Sequence, residues 1–154
     1  MANCITYVGL DVDKEGIVVA VAEGGPLGEI REYGRIANTA AALNRLLSKL
    51  RGEGVRLRFC YEAGRWGHGI QRHLSGYGHQ CVVVAPPLIR RRAGDRVKTD
   101  RRDAASLARP HRAGKLTPAW VPDVGHEAMR DLVRARLDAV HGLRRAHAAP
   151  HRPR

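Results

Sequence analysis

The chain has 154 residues, which is long enough for a domain with a proper hydrophobic core. Residues 86–154 carry 17 basic and 7 acidic side chains (net +10), whereas residues 1–85 carry 10 and 8 (net +2), and such a basic half is typical of proteins that bind nucleic acid. Three cysteines without paired spacing exclude a disulfide framework and a zinc site, and no apolar run approaches the ~18 residues of a membrane span. We therefore expect a cytoplasmic protein.

The first part of the chain predicts three β-strands. Residues 5–12 form an apolar, β-rich run that stops at a polar turn, residues 17–22 form a second, and residues 28–36 alternate as a more exposed strand would. The turns between them are short, which indicates an antiparallel meander.

The period then changes to that of a helix. Asn38 or Thr39 is a natural N-cap, and the leucines at 43, 46, 47 and 50 fall on one helical face. Residues 55–61 return to a strand, residues 67–77 predict a short helix, and residues 80–85 have the continuous β-branched character of a buried parallel strand.

The remainder is basic and largely helical. Residues 90–96 predict a loop, and Thr99 can cap a helix that Pro110 is expected to break. Asp123 can cap a last helix with an apolar stripe on which the chain could self-associate. The stripe consists of Met129, Val133, Leu137 and Val140. None of the eight histidines falls at a recognised ligand spacing, and those at 111, 126, 141 and 147 are interpreted as part of the basic surface.

The element order βββαβαβ followed by basic helices predicts an α/β protein with an RNase H-like mixed sheet, although another three-layer α/β arrangement has the same order. We expect a catalytic domain over residues 1–112, a connecting segment with the start of a long helix over 113–146, and a disordered tail over 147–154.

Two acidic residues lie at predicted strand ends. Asp11 follows an apolar strand, where aspartate is disfavoured, and Glu62 ends the strand of residues 55–61. If the two strands are parallel, both carboxylates emerge at the same edge of the sheet, where open α/β sheets place their sites. A hydrogen bond to the following turn would explain Asp11 equally well, and a surface position would explain Glu62.

Asp100 and Asp103 lie three residues apart on a predicted helix, about 60° apart on one face and within reach of a shared cation. Acidic residues also favour a first helical turn because they interact with the helix dipole. These two, however, are surrounded by cationic residues, as a metal site facing a polyanion would be.

The strings of residues 9–14, 61–64 and especially 95–104 (Asp-Arg-Val-Lys-Thr-Asp-Arg-Arg-Asp-Ala) resemble the DEDD-type insertion-sequence transposases. The resemblance covers nearly all of residues 5–146. It implies a RuvC-like, RNase H-fold N-terminal domain and a role in DNA cleavage and strand exchange during transposition. That family includes recombinases guided by a bridge RNA.

The resemblance also implies a site and its ligands. The acidic tetrad of the family falls on Asp11, Glu62, Asp100 and Asp103, which would be catalytic and would bind Mg²⁺, with Mn²⁺ as a substitute. The implied partners are DNA and a structured guide RNA, and the protein would act at the nucleoid. A second copy of the chain is a further expected partner because of the apolar stripe of the last helix, and no membrane partner is expected. From charge alone, we expect the phosphate-binding residues to be Arg90, Arg91, Arg92, Arg96, Lys98, Arg101 and Arg102.

Two other functions compete with this one. Members of the family continue into a second domain with a nucleophilic serine, and we expect this chain to stop before it. A non-catalytic remnant that holds DNA or RNA through its basic half is therefore the first alternative. An actin-like ATPase domain is the second, although Val12, Asp13 and Lys14 occupy the place where such proteins need glycine near phosphate.

Overall fold

A computed structural model describes residues 4–25, 28–64, 68–85 and 100–148, and for residues 100–103 and 148 it describes the backbone only. The chain divides into two compact units, Met1–Trp120 and Val121–Arg154. Within the described ranges, no helix combines the length and the apolar character needed to cross a membrane.

The described part of the first unit contains five strands and two helices in the predicted order βββαβαβ, and a third helix follows them. The strands are β1 (Cys4–Val12), β2 (Gly16–Glu23), β3 (Ile30–Ala37), β4 (Val55–Glu62) and β5 (Gln80–Val84). The helices are α1 (Ala40–Leu50), α2 (Gly69–Gly76) and α3 (Asp100–Arg112), and the second unit contains α4 (Val124–Ala148).

The strands form one mixed sheet in the order β3-β2-β1-β4-β5. The β1–β2 and β2–β3 pairs are antiparallel, which confirms the meander, and β4 and β5 extend it in parallel with β1. Parallel neighbours need crossover connections, and the crossovers here contain α1 and α2. The RNase H-like fold class is therefore confirmed in its element order and in its strand directions.

The sheet is covered on both faces. On one face, Val8, Leu10 and Phe59 are fully buried, and we assign α1 and α2 to that face because α3 packs on the other. The face beneath α3 is lined by small residues of the central strands, Ala20 and Ala22 of β2 among them. β1 lies at the centre of the sheet, with β2 on one side and β4 on the other, so the positions of its ends are well fixed.

Thr39 is the N-cap of α1, as the sequence predicted. Its side-chain hydroxyl accepts a hydrogen bond from the Ala42 N–H at 3.2 Å, which satisfies one of the free donors of the first turn. The buried face of α1 consists of Ala42, Leu43, Leu46 and Leu47.

The prediction that Pro110 breaks the next helix is wrong, because α3 continues to Arg112. Proline lacks an N–H, but near a helix C-terminus this removes a single backbone hydrogen bond. Packing on both sides of the proline outweighs that loss, since Ala108 and His111 are both buried. Thr99, the predicted cap of this helix, lies outside the described residues.

The prediction of a long last helix is confirmed by α4, which spans 25 residues. It extends to Ala148, beyond the predicted start of a disordered tail at residue 147. The predicted apolar stripe is present and solvent-exposed, with Met129 at 63% and Leu137 at 51% of their full accessible area.

Candidate metal centre

Asp11 and Glu62 lie side by side at the carboxyl ends of two neighbouring parallel strands. In the β1–β4 pair, Leu10 is the register partner of Tyr61, and Asp11 and Glu62 are the next residue of each strand. Both residues are partly buried. The backbone around Glu62 is held by β5, because Glu62 pairs with Val84 and the next N–H, of Ala63, donates to the Val84 carbonyl at 2.7 Å.

The two acids belong to the face of the sheet on which α3 packs. Side chains alternate between faces along a strand, so Asp11 shares the face of Gly9, and Glu62 shares that of Cys60. Gly9 and Cys60 are register partners beneath α3, and the Cys60 thiol donates to the Leu107 carbonyl of that helix at 3.6 Å.

α3 runs antiparallel to β1. Its last turn lies near the start of the strand, where the rings of His111 and Tyr7 meet edge to face with centroids 5.2 Å apart. Its middle lies against Gly9, which faces Ala104 and Ala108. At about 1.5 Å per helical residue and 3.3 Å per strand residue, the first turn of α3 is directed toward the carboxyl end of β1.

Asp100 and Asp103 belong to that first turn, as the sequence predicted. Two of the candidate acids therefore end adjacent parallel strands, and the other two lie in the first turn of a helix whose start is directed toward the same end of the sheet. The orientations of the Asp100 and Asp103 side chains are not described.

Of the seven predicted phosphate-binding residues, the structure describes two, and these by their backbone only. Arg101 and Arg102 lie in the first turn of α3, with their side chains undescribed. The other five, Arg90, Arg91, Arg92, Arg96 and Lys98, lie outside the described residues, as does the predicted loop that contains most of them.

The turn after Asp11 is fixed by its own contacts. The Asp13 N–H donates to the Gly16 carbonyl at 2.8 Å, and the Asn38 side-chain amide donates to the Asp13 carbonyl at 2.9 Å. The Asp13 carboxylate lies 3.7 Å from the Arg35 guanidinium, so this nearby acid is paired with a cation of β3. Asp13 is therefore a natural control for Asp11.

His111 was predicted to lie on the basic surface, but it is buried at the C-terminal end of α3, with 8% of its area exposed. Burial, as the larger cause, and the positive charge of Arg58 together lower the pKa of its imidazole from 6.5 to about 4, although a hydrogen bond with the Arg58 backbone partly opposes them. The burial of His111 was not predicted because the sequence around it is rich in arginine. The only available signal was its helical spacing from Ala104 and Leu107.

α3 is also tied to the β2–β3 connection at its C-terminal end. The Arg112 guanidinium donates to the carbonyls of Gly28 and, at 3.3 Å, Glu23. These contacts fix the position of the helix along its axis. They were not predicted, because nothing in the sequence distinguishes Arg112 from the arginines around it.

Among the side chains that the structure describes, no three of His, Cys, Asp or Glu come close enough to bind one metal ion. Only Asp11 and Glu62 of the candidate set belong to those side chains. The chemistry of the four residues nevertheless fits a hard divalent cation, since carboxylate oxygens are the ligands that Mg²⁺ and Mn²⁺ prefer.

Comparison with known proteins gives the class to which this fold and site belong. Residues 8–150 match the model of the transposase family DEDD_Tnp_IS110, so the chain belongs to that family. The structure is also similar to that of Thermus thermophilus RuvC, with a TM-score of 0.52 and 14% sequence identity over 74% of this chain and 99% of the other. This likeness supports the RuvC-like form of the RNase H fold.

Two curated relatives agree with the family. The chain is 53% identical over 138 residues to the putative transposase y4qE of Sinorhizobium fredii, which covers 90% of this chain and 35% of the relative. It is 36% identical over 131 residues to the transposase for insertion sequence element IS1533 of Leptospira borgpetersenii, covering 84% and 38%. The chain thus spans just over a third of the length of these relatives. The ATPase alternative gains no support.

Proposed function

We propose that this chain provides the metal-dependent catalytic site of a DNA transposase. In this proposal Asp11, Glu62, Asp100 and Asp103 bind divalent cations, Mg²⁺ in the cell and Mn²⁺ as its substitute. The site would act in phosphodiester cleavage and strand exchange during transposition, the activity that family membership suggests for the whole transposase.

One observation carries the proposal: α3 runs antiparallel to β1, so the helix begins at the edge where β1 and β4 end. Four carboxylates gathered without a cation would repel one another. A divalent cation removes this cost. The cationic residues on both sides of Asp100 and Asp103 would then meet phosphates.

The roles of the chain's own residues follow from their places. Asp11 and Glu62 stand on strands held from both sides, so they would provide the fixed half of the ligand set. Asp100 and Asp103 would complete it from the helix. When bound, the cations would supply Lewis-acid stabilisation of the attacking and leaving oxygens of the phosphodiester.

The proposed macromolecular partner is DNA. A net charge of +10 on residues 86–154 supports this assignment, and the phosphate contacts would come from Arg90, Arg91, Arg92, Arg96, Lys98, Arg101 and Arg102. A structured guide RNA is a further partner that the family resemblance suggests, and a second copy of the chain is one that the exposed apolar stripe of α4 suggests. The site of action would be the bacterial nucleoid.

Calorimetric titration with Mn²⁺ at fixed salt, in the presence of a short DNA duplex, tests the metal site. We expect saturable binding by the wild type and its loss in an Asp11→Asn/Asp100→Asn variant. The matched control is Asp13→Asn, which changes an acid of the same turn that is already paired with Arg35, and it should bind Mn²⁺ as the wild type does. Equal binding by all three proteins would refute the proposed site.

A second candidate function, nucleic-acid binding without catalysis, is favoured by the same basic half of the chain. It predicts binding that is independent of Mg²⁺ and that weakens with salt, with a slope of about −0.9 in log affinity per duplex phosphate contacted. Measuring duplex affinity against salt with Mg²⁺ and with EDTA separates the two. Affinity that requires both Mg²⁺ and the four acids would exclude the binding-only function.

A further inference from the structure

Gly9 is the point at which α3 comes closest to the sheet. A Cβ atom at this position would lie 2.3 Å from the Ala104 carbonyl oxygen and 2.8 Å from the Ala108 nitrogen. Both atoms belong to the helix backbone, so no side-chain rotation relieves the contact. The backbone conformation of Gly9 is ordinary for a strand. Glycine is therefore required here for the close approach of the helix and not for its conformational freedom.

The residues around Gly9 allow the same close approach. Its partners across the sheet are Ala20 on β2 and Cys60 on β4, and Ala108 of the helix is fully buried above them. A Cβ at residue 9 would have to move the Ala104 carbonyl by at least about 0.7 Å to reach 3.0 Å, the shortest separation that real Cβ atoms show. The helix would therefore be lifted from the strand.

We propose that Gly9 is a positioning residue that sets the height of α3 above β1 and thereby the metal affinity of the acidic site. Asp11 follows Gly9 by two residues on the same face, and Asp100 and Asp103 precede Ala104 by four residues and by one. Functional sites require geometry within about 0.5 Å, and Mg²⁺ requires a nearly ideal octahedron. This inference rests on the proposed metal site.

Gly9→Ala tests the proposal by Mn²⁺ calorimetry. We expect the folded variant to bind Mn²⁺ at least about tenfold more weakly than the wild type. The matched glycine control is Gly76→Ala at the end of α2, where a new Cβ would meet nothing within 4 Å. A control for lost stability is Leu46→Ala, which opens a cavity on α1. Both controls should keep wild-type affinity below their unfolding transitions.

Cys60 provides a readout that does not depend on metal. Its thiol is fully buried beneath α3, whereas Cys81 lies on β5. Global unfolding exposes both cysteines, but lifting α3 exposes Cys60 alone. Because Cys81 is partly exposed, a loss of global stability also raises the Cys60-to-Cys81 rate ratio, and Leu46→Ala measures that rise. Peptide-resolved alkylation should show a ratio that rises severalfold more in Gly9→Ala than in Leu46→Ala at equal free energy of unfolding, and that stays constant in Gly76→Ala.

The outcomes separate this inference from the proposed function. A folded Gly9→Ala with wild-type Mn²⁺ affinity, or with a Cys60-to-Cys81 ratio no higher than that of Leu46→Ala at equal free energy of unfolding, would overturn the role of Gly9. Absence of Asp11-dependent Mn²⁺ binding in the wild type would refute the metal site and the metal half of this inference, and the alkylation ratio would still decide the helix half. If Gly9→Ala does not fold, Ala108→Ser applies a smaller push at the same contact, and its unchanged ratio would also overturn the proposal.

Discussion

The helices α3 and α4 differ in how far they are buried, and the difference is the opposite of what their sequences suggest. α3 is short, rich in arginine and contains Pro110, yet Leu107 at its centre is only 2% exposed. α4 has a regular apolar stripe along 25 residues, yet Leu137 at its centre is 51% exposed. Burial therefore depends on the surface that a helix meets, and the small side chains of β1, β2 and β4 provide such a surface for α3.

The largest expected effect separates the two leucines directly. Leu107→Ala should lower the free energy of unfolding by about 2–5 kcal/mol, because it removes buried methyl groups and leaves a cavity. The matched change in α4, Leu137→Ala, should alter it by no more than about 0.5 kcal/mol. Urea denaturation of dilute protein measures both.

Equal losses in the two variants would contradict the comparison. They would mean that the apolar stripe of α4 is covered in solution, as it would be in a dimer formed through this helix. Repeating the denaturation at several protein concentrations identifies that case, because the midpoint of an associating protein rises with concentration.

The buried end of α3 should also make stability depend on pH. Because the pKa of His111 falls from 6.5 in the unfolded chain to about 4 in the folded protein, the unfolded state binds more protons between these values. The contribution of neutral His111 to the free energy of unfolding should be fully present above pH 6.5. It should be lost as the pH falls toward 4, by on the order of 2 kcal/mol.

Comparison of the wild type with His111→Phe isolates the contribution of His111 to the pH dependence of stability. Phenylalanine keeps an aromatic ring against Tyr7 but cannot be protonated, so the variant should show a weaker loss of urea stability between pH 6.5 and 4. His79 has a pKa that burial also lowers, and it contributes equally to both proteins. An identical pH dependence of the two proteins would contradict the burial of neutral His111.

The smallest expected effect concerns the start of α4. The Asp123 carboxylate accepts a hydrogen bond from the His126 N–H at 2.8 Å, which lowers the pKa of Asp123 and caps the helix. Asp123→Ala should reduce helical circular dichroism by about one turn without shifting the urea midpoint of the first unit. Asp123→Asn keeps an acceptor and should retain the helix. A shifted midpoint in Asp123→Ala would show that the two units unfold together.

Much of the fold follows from local patterns in the sequence. The meander was predicted from apolar runs of strand length with short turns, and α1 from the leucine spacing that follows Thr39. The antiparallel directions were predicted from short turns, and the parallel direction of β5 from its continuous β-branched run. The parallel pairing of β4 with β1 was only a condition in the sequence analysis, and the structure meets that condition. The adjacency of Asp11 and Glu62 was predicted on the same condition and is confirmed by the β1–β4 register.

The candidate site was only partly accessible in this way. Asp100 and Asp103 could be placed on a helix, but the direction of that helix across the sheet is fixed by contacts far along the chain, including those of Gly9 with Ala104 and of Arg112 with Gly28. The metal-binding roles of the four acids and the phosphate-binding roles of the arginines stay predictions.

The sequence by itself determined the element order, the caps and the positions of the four acids along the chain, because each depends on neighbouring residues. Only the tertiary structure decided that α3 continues past Pro110, that His111 is buried, and that the start of α3 is directed toward the ends of β1 and β4. These outcomes depend on packing against residues distant in the sequence, where the free energy of burial exceeds local preferences.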